Sequence, residues 1–193
     1  MANYNNLLEK LSKTEFVKTE REFNDGKILV KFEARHAVLI YKNFNGVETD
    51  YNEKGKRNFC LVVTKEVADL LYANGINVKV KTPEEGEPIY LVKVNVNMES
   101  ETAPEVKLYV RKQDGRTNVI ELDADSIGLL DKATIETWAV DLNIYRNAKR
   151  GTVSFYLNSL GALQNDVPKF GGMFDEYENN NYNDDLPFED VTD

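Results

Sequence analysis

Hydrophobic and polar residues alternate with a period of two through most of this chain. The clearest case is IYLVKVNVN (89–97), where Val92, Val94 and Val96 share one face and Lys93, Asn95 and Asn97 the other; a strand with one buried face produces that pattern. KILVKFEA (27–34), AVLIYKNF (37–44), NFCLVVT (58–64), INVKVK (76–81), VKLYVR (106–111) and TNVIELD (117–123) are also rich in β-branched and aromatic residues. They are bounded by polar, Gly- or Pro-containing stretches such as NGVETDYNEKGKR (45–57) and TPEEGEP (82–88), the punctuation expected of turns and loops. TIETWAVDLNIYRN (134–147) and TVSFYLNSL (152–160) flank the basic four-residue turn AKRG (148–151), which predicts a long β-hairpin.

Helical periodicity is confined to a few places. TKEVADLLYANG (64–75) has Thr64 as a cap, Glu66 in its first turn, an apolar stripe at Val67, Leu70 and Leu71, and Gly75 at its end. Residues 1–16 predict a short helix capped by Asn5 or Asn6, with Leu7, Leu8 and Leu11 on one face; that face fits either the body of the chain or a second copy in a homo-oligomer. A short helical or looped segment is expected near 125–133. About eight strands with one clear helix inserted mid-chain predict an all-β fold with minor α content, a mostly antiparallel sheet closed as a barrel or folded as a sandwich. Among small barrels, the oligonucleotide/oligosaccharide-binding (OB) type is a Greek-key barrel that accommodates such a helix. The expected organisation is an N-terminal helical extension at 1–19, an OB-fold domain at 20–167 and a flexible acidic tail at 168–193.

Charge reinforces the last boundary. From Gly171 onward there are eight acids (Asp175, Glu176, Glu178, Asp184, Asp185, Glu189, Asp190 and Asp193) and no Lys or Arg. Removing those eight from the 33 acids of the chain leaves 25 against 24 bases, so all but one of the nine net negative charges reside in the tail. The nearly neutral body keeps enough cations to build a patch for a polyanion. Nothing approaches the roughly 18 consecutive apolar residues of a membrane span, and MANYNNLLEK lacks the basic and apolar regions of a signal peptide; a cytoplasmic protein without a membrane partner is expected.

Few residues offer catalysis. Cys60 is the one cysteine and His36 the one histidine, which leaves no disulfide, no thiolate cluster and no two-His metal site within the chain. Cys60 reads as a buried inert thiol and His36 as a turn residue between two strands. Nucleotide-binding glycine loops, H-E-x-x-H and G-x-S-x-G are all missing. Glu121, Asp123 and Asp125 resemble the magnesium ligands of a nuclease, but acids in so acidic a chain read first as a solvated edge. No enzyme activity, metal or cofactor is expected.

Aromatic residues beside cations are the remaining pattern. In VKLYVR, Val106, Leu108 and Val110 share one face, which sets Lys107, Tyr109 and Arg111 on the other. In TWAVDLNIYRN, Trp138, Val140, Leu142 and Ile144 point to the core, leaving Tyr145 outward near Arg146, Lys149 and Arg150; on the returning strand Tyr156 and Asn158 face out. The first hairpin offers Tyr41, Lys42 and Phe44, the following loop Lys54, Lys56 and Arg57, and a later turn Arg116. Flat rings on which bases stack, flanked by Lys and Arg that track phosphates, suit a single nucleic-acid strand. The candidate groove is therefore Tyr41, Lys42, Phe44, Arg57, Lys107, Tyr109, Arg111, Arg116, Tyr145, Arg146, Arg150 and Tyr156.

The ordered series LIYKNFNGVETDYNEKGKRNFCLVV, ADLLYANGINVKV, EEGEPIYLVKVNV, GRTN, SIGLLDKATIETWAVDLNIYR and KRGTVSFYLNSL, spanning about residues 25–163, resembles the phage-encoded single-stranded DNA-binding proteins of OB fold. The resemblance implies sequence-independent binding and protection of single-stranded DNA (ssDNA) during phage replication or recombination, inside the bacterial host, without catalysis. Near the end of the chain, Asp184-Asp185-Leu186-Pro187-Phe188 is similar to the acidic tip of bacterial ssDNA-binding proteins, where a terminal Phe and its carboxylate dock on partner enzymes. Here EDVTD comes after the Phe, so that carboxylate is missing. A polyanion with an aromatic anchor still suits basic pockets on replication or recombination proteins and competes with DNA for the cationic groove. The alternative expectation is a phage interaction or assembly factor that docks through the same tail.

Overall fold

The computed structural model describes residues 2–22, 28–50, 52–83, 86–112, 114–147 and 152–165. The elements run α1 (Ala2–Leu11), β1 (Glu15–Glu22), β2 (Ile28–Asn43), β3 (Arg57–Val63), α2 (Lys65–Ala73), β4 (Val78–Lys81), β5 (Ile89–Val96), β6 (Glu105–Arg111), β7 (Thr117–Leu122), α3 (Leu129–Lys132), β8 (Thr137–Asn147) and β9 (Thr152–Asn165). Five strands close a ring in the order β2-β3-β5-β9-β8 and back to β2. Each pairing in it is antiparallel except β5 with β9, which run parallel where Asn95 meets Tyr156. This connectivity is that of the OB-type Greek-key barrel. Outside the ring, β1 pairs with the first half of β2, β4 with the first half of β5, and the β6–β7 hairpin lies parallel to the second half of β9.

Alternation decides what fills the barrel. Val30, Phe32 and Ala34 of β2, Phe59 and Leu61 of β3, Val92, Val94 and Val96 of β5, Trp138, Val140, Leu142 and Ile144 of β8, and Leu157 and Leu160 of β9 form one buried cluster. A second cluster lies outside the ring, where Leu7, Leu8 and Leu11 of α1 cover Val38, Val62, Ile89 and Leu91. The N-terminal helix therefore packs on the body of its own chain; it begins at Ala2, ahead of the expected Asn caps. At α2, the Thr64 hydroxyl accepts from the Val67 amide at 3.4 Å, as its sequence predicts. Gly75 behind it has φ +81°, and a Cβ there would sit 2.9 Å from the Val153 side chain, so both backbone and space demand glycine.

Two expectations change. Residues 28–43 form one sixteen-residue strand, where two were expected. Its first half must pair with β1 and β8 and its second with β3, and the pairing register shifts between Arg35 and Ala37 and again between Ile40 and Asn43. His36 (φ 51°) and Tyr41 (φ 50°) sit in the left-handed region at those shifts; such irregularities bend a strand without ending it. Residues 15–22 form β1, concealed in the sequence by its charges, and the expected domain boundary at 19/20 falls inside this strand. The residues from 166 onward, with Asp184, Asp185, Leu186, Pro187 and Phe188, and the turn carrying Arg150, lie outside the described residues.

The second irregularity in β2 also reverses the facing of the residues beyond it. Phe44, expected in the groove, is fully buried at one mouth of the barrel, 5.8 Å from the Phe59 ring and 6.1 Å from Trp138. The loop is fastened there by Asp131, whose carboxylate accepts from the amides of Phe44 at 3.0 Å and Asn45 at 2.8 Å. Lys42 donates to the Leu130 carbonyl at 3.3 Å and lies 4.9 Å from the centre of the Trp138 ring; desolvation by burial pushes its pKa down. Arg57 donates to the carbonyls of Phe44 at 3.1 Å and Ala124 at 2.9 Å, tying the start of β3 to the loop and to the segment after β7. These three side chains close the barrel and do not form an open groove.

This packing predicts that Phe44→Ala lowers unfolding free energy by about 3–5 kcal/mol, whereas Tyr41→Ala changes it by about 0.5 kcal/mol or less, in urea denaturation of the two variants. Arg57→Ala leaves two partly buried carbonyls without their donor, and a loss of about 1–3 kcal/mol is expected in the same assay.

Candidate nucleic-acid interface

Because side chains alternate across each strand, the residues opposite the barrel core form rows on its outer surface. One row is given directly by the pairing: Asn58 on β3 lies across from Asn95 on β5, Asn95 from Tyr156 on β9, Tyr156 from Asn143 on β8, and Asn143 from Lys31 on β2. Tyr156 is 53% exposed and stands near the middle of this row, an aromatic face with amides on either side.

From Tyr156 the outer surface of β8 and β9 continues as a strip toward β6. A register shift between Asp141 and Leu142 inserts Asn158 as an extra outward residue. Its amide donates to Asp141 Oδ2 at 2.7 Å and accepts from Asn143 Nδ2 at 3.3 Å, while Lys31 Nζ pairs with the same Asp141 oxygen at 3.0 Å. The hydrogen bond from Lys31 to Asp141 raises the lysine's pKa. From this network the strip opens into a cleft of about 510 Å³, floored by Ala139, Ser159 and Gly161 and walled by Tyr109, Lys107 and Glu105 on one side and Arg35 and Glu33 on the other, with Asp141 at its edge, so its charge is mixed. The Tyr109 ring lies against β9 at Gly161, where a Cβ would meet Cε2 at 3.5 Å, an ordinary van der Waals contact. Tyr156 and Tyr109 thus mark the two ends of one strip, and Tyr156 to Gly161 spans roughly 15 Å of strand.

A third group lies on the other flank of the row. Lys93 of β5 is opposite Cys60 of β3. Burial pushes the Cys60 thiol up, and the charges of Lys79 and Lys93 act against that rise. Neither lysine is ion-paired with a described residue. Tyr41, 59% exposed at its bend in β2, accepts a hydrogen bond from Lys81 Nζ at 2.9 Å; that bond raises the lysine's pKa.

The predicted residues therefore divide. Tyr156, Tyr109 and Lys107 share the strip. Tyr41 stands on the opposite flank with Lys81. Tyr145 and Arg146 occupy β8 opposite Ser154 and Val153. Several predicted cations already have partners: Lys107 meets Glu105 at 2.5 Å and Glu121 at 3.9 Å, Arg111 meets Glu136 at 3.6 Å, and Arg116 is bound by Asp114 at the β6–β7 turn. The middle member of the Glu121, Asp123 and Asp125 group is also engaged: Asp123 accepts from the Ser126 hydroxyl at 2.6 Å and from the amides of Ser126 and Asp125, which lowers its pKa. Residues of this surface that the sequence-based groove did not include are Lys79, Lys81, Lys93, Asn95, Asn143 and Asn158, of which Asn158 was already expected to face out. The alternation in IYLVKVNVN already turned Lys93 and Asn95 outward; what it lacked was the identity of the neighbouring strands.

A solved structure similar in part to this chain is the single-stranded DNA-binding protein from bacteriophage Enc34, in a C-terminal truncation, with 12% identity, 79% of this chain and 96% of that one covered, and a TM-score of 0.36. No curated protein matches the chain. A family model does, over residues 25–161, which take in four strands of the barrel ring whole and β9 as far as Gly161. The chain belongs to the family described as "Putative phage ssDNA-binding domain".

Proposed function

We propose that the protein binds single-stranded DNA without sequence preference, coating and protecting it during phage replication or recombination in the host cytoplasm, without catalysis or a cofactor. The observation that carries this reading is the strip from Tyr156 to Tyr109, joined to the exposed Asn95 across the β5–β9 contact, on a chain of this family. A ring stacks on any base, because every base has a π-face. The exposed Asn95 amide offers both donor and acceptor to a base edge, whereas Asn58 is buried against Asn52 and Asn143 donates to Asn158, so these two hold the row in place. Lys93 and Lys79, unpaired by acids of the described chain, are the cations best placed to meet phosphates beside the row.

The acidic tail is assigned two roles, docking on basic pockets of replication or recombination proteins and competing with DNA for the body's cations. Eight negative charges on a nearly neutral body supply the electrostatic basis.

Fluorescence anisotropy with a labelled single strand tests the reading. The logarithm of affinity is expected to fall with the logarithm of salt at about −0.7 per phosphate contacted, with duplex competing poorly; no binding to a long single strand at low salt overturns the assignment. Tyr156→Ala is expected to cost about 1–3 kcal/mol of binding, and Lys93→Ala to make the salt slope shallower by about 0.7. Deleting residues 171–193 is expected to tighten binding, most at low salt where screening is weakest; unchanged or weaker affinity rejects the competing tail.

A further inference from the structure

Among the described residues three strands leave one side unpaired: β1, β4 and β7. Two of them carry features that discourage further pairing. Of the eight residues of β1 five are charged, and β4 is only four residues long with two lysines. Charged and short edges resist addition of another strand. β7, TNVIEL, has six residues and one charge, and Val119 and Ile120 are 52% and 46% exposed. It is the edge with no such protection.

We propose that β7 pairs antiparallel with β7 of a second copy of this chain, giving a two-fold dimer whose sheet continues across the contact. The proposal rests on the single-strand reading for its use but not for its test. A two-fold axis perpendicular to the sheet places side chains of the same face opposite each other. Centred on Val119, it sets Val119 against Val119 of the second copy, Thr117 against Glu121 and Asn118 against Ile120, so an apolar pair takes the centre and no like charges meet. Outside the tail the chain has 25 acids against 24 bases, so net charge does not hold two bodies apart.

The pairing also gives the dimer a purpose. Tyr109 lies across from Val119 within the β6–β7 hairpin, and the axis keeps faces matched, so the two Tyr109 rings emerge on one surface. Three strand spacings separate them, roughly 14 Å. Two clefts then form one continuous track for a single strand.

Six residues of strand pairing bury a small interface, so weak self-association is expected. Sedimentation velocity of the full chain without DNA, over a concentration series reaching on the order of 100 µM, reads it directly. Val119→Lys and Val119→Glu each place like charges at the centre and are expected to weaken the dimer at least about tenfold, whereas an equimolar mixture of the two regains it as a heterodimer. A wild-type chain that stays monomeric throughout, a Val119→Lys chain that associates like wild type, or a mixture no better than its components overturns the pairing. Because no DNA is present, these outcomes are independent of whether the chain binds single strands.

Discussion

The second strand holds the barrel together by serving two sets of neighbours. Its first half is hydrogen-bonded to β1 and β8, its second half to β3. Closing a ring of five strands requires one of them to turn from one side of the barrel toward the other, and the left-handed backbone at His36 and Tyr41 provides that turn. The bend has consequences at both faces. Inward, it carries Phe44 to the mouth of the barrel between Phe59 and Trp138. Outward, it leaves Tyr41 exposed beside Lys81.

Closure also creates the surface on which the functional reading rests. Asn95 and Tyr156 are about sixty residues apart in sequence and meet only because β5 and β9 complete the ring. The same contact aligns asparagines from three strands with one tyrosine and leads the outer surface of β9 toward Tyr109 through the Asp141, Asn158 and Lys31 network. Polar atoms are concentrated here because this face has no second layer over it among the described residues, while α1 covers the apolar outer patch of β2, β3 and β5 nearby. The helix and the candidate track thus divide one barrel wall.

Electrostatics on this body is mostly local. Lys107, Arg111 and Arg116 each stand beside a carboxylate, and exposed pairs of this kind contribute little to stability. They matter more for binding, since a paired ammonium or guanidinium must exchange its carboxylate for a phosphate. Lys79 and Lys93 have no such competitor among the described residues, which makes the flank of the row near Cys60 the more available cationic surface.

Much of this was legible from residue order. Alternation in IYLVKVNVN, VKLYVR and TWAVDLNIYRN determined which side chains enter the core, and the Thr64 cap with its apolar stripe determined α2, because these depend on neighbours one to four residues away. The segregation of eight acids beyond Gly171 is likewise a property of sequence alone. Tertiary structure decided the rest. It turned Phe44, Lys42 and Arg57 from apparent ligand-binding groups into the barrel's closure, made a strand of the charged residues 15–22 by pairing them with β2, and brought Asn95, Tyr156 and Asn143 into one row. The physical reason is that alternation gives the face of a residue only while a strand stays regular. Each irregularity in register resets it, and the position of an irregularity is set by which distant strands must be joined.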